Sequence, residues 1–142
     1  MHSNNSHTGA NILIIDDEYL SSFIFQKLVK KVMADSEITT CSNGKCALDK
    51  LIEIKNKDVN LLPNYIFVDI SMPVMNGWEF LEKYEDLNID PLGKCKIYIL
   101  TCSLFRYDMM KSASYHTVKD YILKPLDFEK LKKVFVEVDL PS

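Results

Sequence analysis

Five short apolar runs, each followed by a stretch with helical spacing, limit what this chain can fold into. Asn11–Ile15 reads NILII. A run so uniformly apolar and β-branched does not suit a half-exposed strand, so it is expected at the centre of a sheet covered on both faces. After it, Leu20, Phe23, Ile24, Leu28 and Val32 recur at helical spacing, with Lys27, Lys30 and Lys31 on other faces. Glu37–Cys41 reads as a second strand, Ser42-Asn43-Gly44 as a turn, and residues 45–54 as a second helix. YIFVDI at 65–70 is the second strongly apolar strand, and residues 77–87 carry a third helix. KIYIL at 96–100 is a strand, 108–115 a weaker helix and YIL at 121–123 a short strand. Phe128, Leu131, Val134, Phe135 and Val138 then make a final amphipathic helix. The one loose stretch is KNKDVNLLPN at 55–64, expected as a longer connection.

Strand and helix alternating five times call for a parallel sheet with right-handed crossovers and helices on both faces. The chain has 142 residues, a length at which folding hides roughly 68–70% of the unfolded surface, enough for a core without metals or disulfides. One domain over 10–140 is expected, behind a polar and disordered arm at 1–9. The charge balance of 17 Lys+Arg against 20 Asp+Glu leaves −3. With a sequence pI of about 5.6, this argues against direct nucleic-acid binding, which favours basic domains. No apolar run approaches the ~18 residues of a membrane span, and the arm lacks the basic and apolar regions of a signal peptide. The expectation is a cytoplasmic domain away from membranes. Of the four cysteines, neither Cys41 with Cys46 nor Cys95 with Cys102 has CxxC spacing, so buried or half-buried thiols are expected.

In open α/β sheets, sites form outside the carboxyl ends of the strands. The residues just after or at the end of each apolar run are Asp16 and Asp17, Asp69, Thr101 and Lys124. Three carboxylates on one rim repel each other unless a cation compensates. Hard oxygen ligands with room for water and phosphate suit Mg²⁺. A carboxylate beside Mg²⁺ and a lysine is a plausible nucleophile toward phosphorus, with the hydroxyl available to a phosphoryl oxygen. The chemistry implied is reversible phosphorylation of an aspartate.

At these residues the chain resembles the receiver domain of two-component response regulators. The matching stretches are IIDDE at 14–18, VDISMPVMNGWEFL at 68–81, ILTCS at 99–103 and YILKPL at 121–126. The resemblance covers essentially everything after the polar arm. It implies a flavodoxin-like doubly wound (βα)5 fold with a five-stranded parallel sheet in the order 2-1-3-4-5. It also implies that Asp69 is the phosphoacceptor and a member of the metal site, Asp17 a direct Mg²⁺ ligand and Asp16 a holder of the metal's waters. The backbone carbonyl of Ser71 would complete the metal site. Thr101 would be the switch hydroxyl that moves toward the phosphoryl group, Lys124 the ion-pair partner of that group and Tyr121 the aromatic that reports activation. Lys124-Pro125 is a candidate cis bond, while Met72-Pro73 and Asn76-Gly77 would shape the loop before the third helix. The family's usual output surface includes 108–115, the last strand and the last helix. Partners would be a histidine kinase or histidine phosphotransfer protein and a downstream protein effector, with the chain a monomer or weak dimer.

Each residue also has a plainer reading. Asp16, Asp17 and Glu18 can cap a helix. Asp69 can end a strand, although a charge in an otherwise apolar run is costly. Thr101, Lys124 and Tyr121 are individually ordinary, and only their joint placement at successive strand ends resists these readings. Lys130, Lys132 and Lys133 suit a solvated helix face or, alternatively, a docking face. Phe105, Tyr107, Met109 and Met110 suit packing or a partner groove. Three departures from the family pattern stand out. Cys102 follows Thr101 where a smaller residue is usual, and its sulfur is expected to narrow access to Asp69. His116-Thr117 replaces a small pair, and Asp69 follows Asp17 by 52 residues, a longer separation than expected.

The implied function is a stand-alone phosphorylation switch, not a metabolic enzyme, with limited self-phosphorylation and autodephosphorylation. The alternative is a receiver fragment of a longer DNA-binding transcriptional regulator, since the 18 residues after Lys124 hold one helix and no helix-turn-helix domain. An Asp-x-Asp phosphatase is disfavoured because Ser71 occupies the second acid's place. A degenerate docking module is disfavoured by the intact acids, threonine and lysine.

Overall fold

The apolar runs form strands whose alternate side chains feed two separate cores. The structure, a computed structural model, describes residues 9–72, 75–102 and 115–139, the last four without their side chains. The strands are β1 (Asn11–Ile15), β2 (Glu37–Cys41), β3 (Tyr65–Asp69), β4 (Lys96–Thr101) and β5 (Val118–Leu123). They form one parallel sheet in the order β2-β1-β3-β4-β5, as expected for a flavodoxin-like fold. The helices are α1 (Tyr19–Val32), α2 (Gly44–Lys57), α3 (Gly77–Asp86) and α4 (Phe128–Asp139). The stretch 108–115, apart from Tyr115, lies outside the described residues, as do Pro73, Phe105, Tyr107, Met109, Met110, Ser103 and the arm up to residue 8.

Because successive strand residues point to opposite faces, Leu13, Ile15, Ile66, Val68, Ile97 and Ile99 enter one core. There they meet Ala47, Leu48 and Leu51 of α2 and Phe80, Leu81 and Tyr84 of α3. Ile12, Ile14, Tyr65, Phe67, Tyr98 and Leu100 enter the other, against α1 and α4. Phe67 anchors this second core, 4.8 Å from the Phe25 ring and 5.5 Å from that of Tyr98. Every residue of β3 is buried, which is what a central strand covered on both sides requires.

Three sequence expectations need correction. In α1, Leu20, Phe23 and Ile24 are exposed, and the helix is held through Ser22, Phe25 and Val29, with Leu28 and Val32 half-buried. Two adjacent apolar stripes run along this helix, and spacing alone does not say which one meets the sheet. The last strand begins at Val118, three residues before its apolar part. Lys119 and Asp120 are exposed there, and on an edge strand this hides the start from a hydrophobicity reading. In the stretch 55–64, α2 continues to Lys57 and a short 3-10 turn spans Val59–Leu61. Leu62 is buried behind it, and Asn64 accepts the Asn11 N–H through Oδ1 at 2.8 Å.

Candidate functional site

The sheet register brings the chemistry-bearing residues to one rim. Asp69 is the last residue of β3 and pairs with Leu100, and Thr101 follows one position on, paired with Leu123. Lys124, directly after β5, donates its backbone N–H to the Thr101 carbonyl at 2.7 Å. Asp16, directly after β1, donates its N–H to the Cys41 carbonyl at 3.0 Å. The residues are thus held by backbone bonds that continue the ladder past the strand ends.

The Lys124 ammonium sits between two buried carboxylates, 2.9 Å from Asp69 Oδ2 and 3.3 Å from Asp16 Oδ2. It also lies 3.4 Å from Ser21 Oγ, and Ser21 donates its hydroxyl to Asp16 Oδ2 at 2.9 Å. The other oxygens are bound too. Asp16 Oδ1 accepts the Glu18 N–H at 3.0 Å, and Asp69 Oδ1 accepts the Ser71 N–H at 2.8 Å. Burial pushes the Asp69 carboxyl above its usual range, and the bonds from Lys124 and Ser71 oppose that shift only in part. Burial alone would lower Lys124, but its bonds to Asp69 and Asp16 outweigh this and hold its pKa above the ordinary 10.5.

Asp16, Asp17 and Asp69 each present an oxygen within 4.8 Å of the others, the first and third buried and the second exposed. Among the described residues, one ammonium faces this trio. Three carboxylates against one cation leave an excess of negative charge that a further hard cation would offset. The all-oxygen donor set with one member open to solvent therefore fits Mg²⁺.

Thr101 is buried at the same rim. Tyr121 pairs with Ile99, two positions back from the rim, and packs half-buried against the core on the α2–α3 face. Ser71 is exposed just beyond Asp69. Cys102 is exposed and lines a groove of about 410 Å³ together with Leu20, Ile24, Lys124 and Pro125. The Lys124-Pro125 bond is cis, as the resemblance implies. All four cysteines are free, with Cys41 and Cys95 buried and Cys46 and Cys102 exposed. Burial raises both buried thiols, Cys95 to about 12.

At the departures from the family pattern, Thr117 donates its hydroxyl to Glu85 Oε2 at 2.7 Å, beside His116. Lys130 reaches back to the carbonyls of Leu123 and Pro125, so this member of the lysine trio secures the turn after β5. Lys132 and Lys133 are exposed. Ser21 is the site residue that strand-end reasoning passes over. Its signal is a hydroxyl five residues after Asp16, on the first turn of α1, where side chains lean toward the helix start.

Fold and rim together define a doubly wound α/β domain with a buried lysine–aspartate pocket at the carboxyl ends of its strands. Comparison with known proteins takes this further: the response regulator receiver domain family matches over residues 12–136. The chain belongs to that family. It is 27% identical over 127 residues to a probable methanogenesis regulatory protein, FilR2, of Methanothrix harundinacea, covering 89% of this chain and 79% of that protein. A protein-glutamate methylesterase/protein-glutamine glutaminase of Desulfotalea psychrophila is 36% identical over 114 residues, 80% of this chain and 29% of its own length. The chain thus spans most of one relative and under a third of the other. A two-component response regulator from Cytophaga hutchinsonii has the same fold, with a TM-score of 0.81 at 27% identity, covering 92% of this chain and 97% of that one.

Receiver domains are signalling switches of two-component systems and not enzymes in the ordinary sense. They bind Mg²⁺ in an acidic pocket, and response regulators act with histidine kinases and phosphotransfer proteins. No described helix is long and apolar enough to cross a membrane.

Proposed function

We propose that this chain is a phosphorylation switch that accepts a phosphoryl group on Asp69 from a phosphohistidine of a partner kinase or phosphotransfer protein. The observation that carries the reading is the buried Lys124 ammonium 2.9 Å from Asp69 Oδ2. It holds an otherwise costly carboxylate in place and stands ready for the charge of an incoming phosphoryl group. In the transfer, an Asp69 carboxylate oxygen bonds to phosphorus as the phosphorus–nitrogen bond breaks, its electron pair leaving on the imidazole. Asp17 would hold Mg²⁺ directly, with Asp16 on its waters and the Ser71 carbonyl as a backbone ligand. Bound Mg²⁺ would offset the charge on the transferring oxygens.

The Thr101 hydroxyl would meet a phosphoryl oxygen, and Tyr121 lies two register positions before Leu123, Thr101's partner on β5. Together they form the route by which the rim biases a more distant binding face. Incubation with Mg²⁺ and a small phosphodonor should add one phosphoryl mass, labile to alkali, to the wild type. Asp69→Asn should abolish it. An undiminished adduct on Asp69→Asn would remove Asp69 from the role.

The switch is read as acting alone on a protein effector. The short coverage of the methylesterase relative favours a second reading, a receiver within a longer regulator. Immunoblotting of native extract with an antibody to this domain separates the two by size.

A further inference from the structure

Three groups close a small ring at the edge of the pocket. Lys124 Nζ lies 3.3 Å from Asp16 Oδ2 and 3.4 Å from Ser21 Oγ, and the Ser21 hydroxyl donates to that same Asp16 oxygen at 2.9 Å. The hydroxyl therefore does two things. It fills the donor demand of a carboxylate oxygen whose residue is almost fully buried, and it offers the ammonium a further acceptor besides the two aspartates.

Without it, the partners left to Asp16 among the described residues are the Glu18 N–H on Oδ1 and Lys124 at 3.3 Å. The carboxylate is then freer to rotate, and the ammonium is drawn further toward Asp69. Ser21 can reach the ring because the first turn of α1 starts three residues after Asp16 and its side chains lean toward the helix start. An alanine or leucine there would serve the helix better by intrinsic preference, so local helix formation does not account for a serine.

We infer that Ser21 is a positioning residue: its hydroxyl sets the Asp16 carboxylate for the Mg²⁺ site and holds Lys124 between the two aspartates. This deepens the proposed phosphotransfer function and rests on it.

The test compares the wild-type chain with Ser21→Ala and Ser21→Thr. Mg²⁺ binding is followed by titration calorimetry, adduct formation at saturating Mg²⁺ by intact mass, and stability by urea unfolding. A hydrogen bond to a charged group supports an expectation of about tenfold weaker Mg²⁺ binding in Ser21→Ala. Ser21→Thr, which keeps the hydroxyl, should return to within about twofold of wild type on the same grounds. At saturating Mg²⁺ the adduct should still form on Ser21→Ala but more slowly, because Asp69 and Thr101 are untouched while Lys124 has lost its contact with the hydroxyl.

Unchanged Mg²⁺ affinity in Ser21→Ala overturns the inference, whether or not stability moves. Equal weakening in Ser21→Thr and Ser21→Ala also overturns it, because packing and not the hydroxyl would then be responsible. Failure of the underlying function looks different. There the wild type itself neither binds Mg²⁺ nor gains a phosphoryl mass, and the role of Ser21 falls with it.

Discussion

The starts of α1 and α3 are built from similar residues and do opposite things. At α3, Asn76 Oδ1 accepts the Glu79 N–H while Glu79 Oε1 accepts the Asn76 N–H, both at 2.9 Å, a reciprocal capping box. At α1, three acids precede the helix, yet the N-cap residue Glu18 makes no side-chain cap bond. The nearest buried acid, Asp16, gives one oxygen to the Glu18 N–H and commits the other to Ser21 and Lys124. An acidic run before a helix reads as a cap in isolation. Here it is used for the pocket, and the helix is left without the side-chain cap that its neighbour has. The same kind of residue stabilises an end of the fold in one place and holds a buried lysine in the other.

The largest effect that would sharpen this contrast comes from Lys124→Ala. It leaves two buried carboxylates facing each other, and breaking such a pair costs about 3 kcal/mol, read as a lower urea midpoint. The adduct on Asp69 should be lost as well. The pair also has a signed pH dependence. Lys124 has its folded pKa above the ordinary 10.5, so its stabilising contribution is fully present below that value and is lost as pH rises through the elevated folded one. The difference in stability between wild type and Lys124→Ala should therefore shrink on the alkaline side. A constant gap would count against the charge pair as its source.

Next in size is Gly77→Ala, at the first residue of α3. A Cβ there would lie 2.7 Å from Ile70 Cα and 2.9 Å from the Asp69 carbonyl oxygen. Relieving that overlap costs about 2 kcal/mol and shifts the backbone beside Asp69, so both stability and adduct formation should fall. A smaller effect separates the helix starts directly. Asn76→Ala removes a working cap and should cost about 1 kcal/mol while adduct formation on Asp69 proceeds at the wild-type rate. Smallest of all, Glu18→Ala should stay within about 0.5 kcal/mol of wild type, as surface substitutions away from special features do. If Glu18→Ala were as costly as Asn76→Ala, the contrast between the two helix starts would collapse.

Much of the site was legible because strand ends are legible. NILII and YIFVD stand out by apolar content, so the acids that end them stand out too, and Asp16, Asp69 and Lys124 do meet at one rim. The exposed face of α1 was not legible, since Leu20, Phe23 and Ile24 are as apolar as the buried Phe25 and Val29. Nor was the start of β5, where edge position lets Lys119 and Asp120 sit in a strand. Ser21 was illegible for another reason: a serine on a helix carries no signal until its neighbours in space are known.

By itself the sequence determined the alternation of five strands with helices and the order of the strand-end residues. It also carried the motifs that mark the receiver family. Those properties depend on neighbours along the chain, which is where hydrophobic period and spacing act. Only the tertiary structure decided which stripe of α1 meets the sheet, that Lys124 joins Asp16 as well as Asp69, and that Ser21 closes the ring. These contacts span up to 108 residues of sequence separation. Their geometry is set by the register of β1, β3 and β5 across the sheet, which no local pattern encodes.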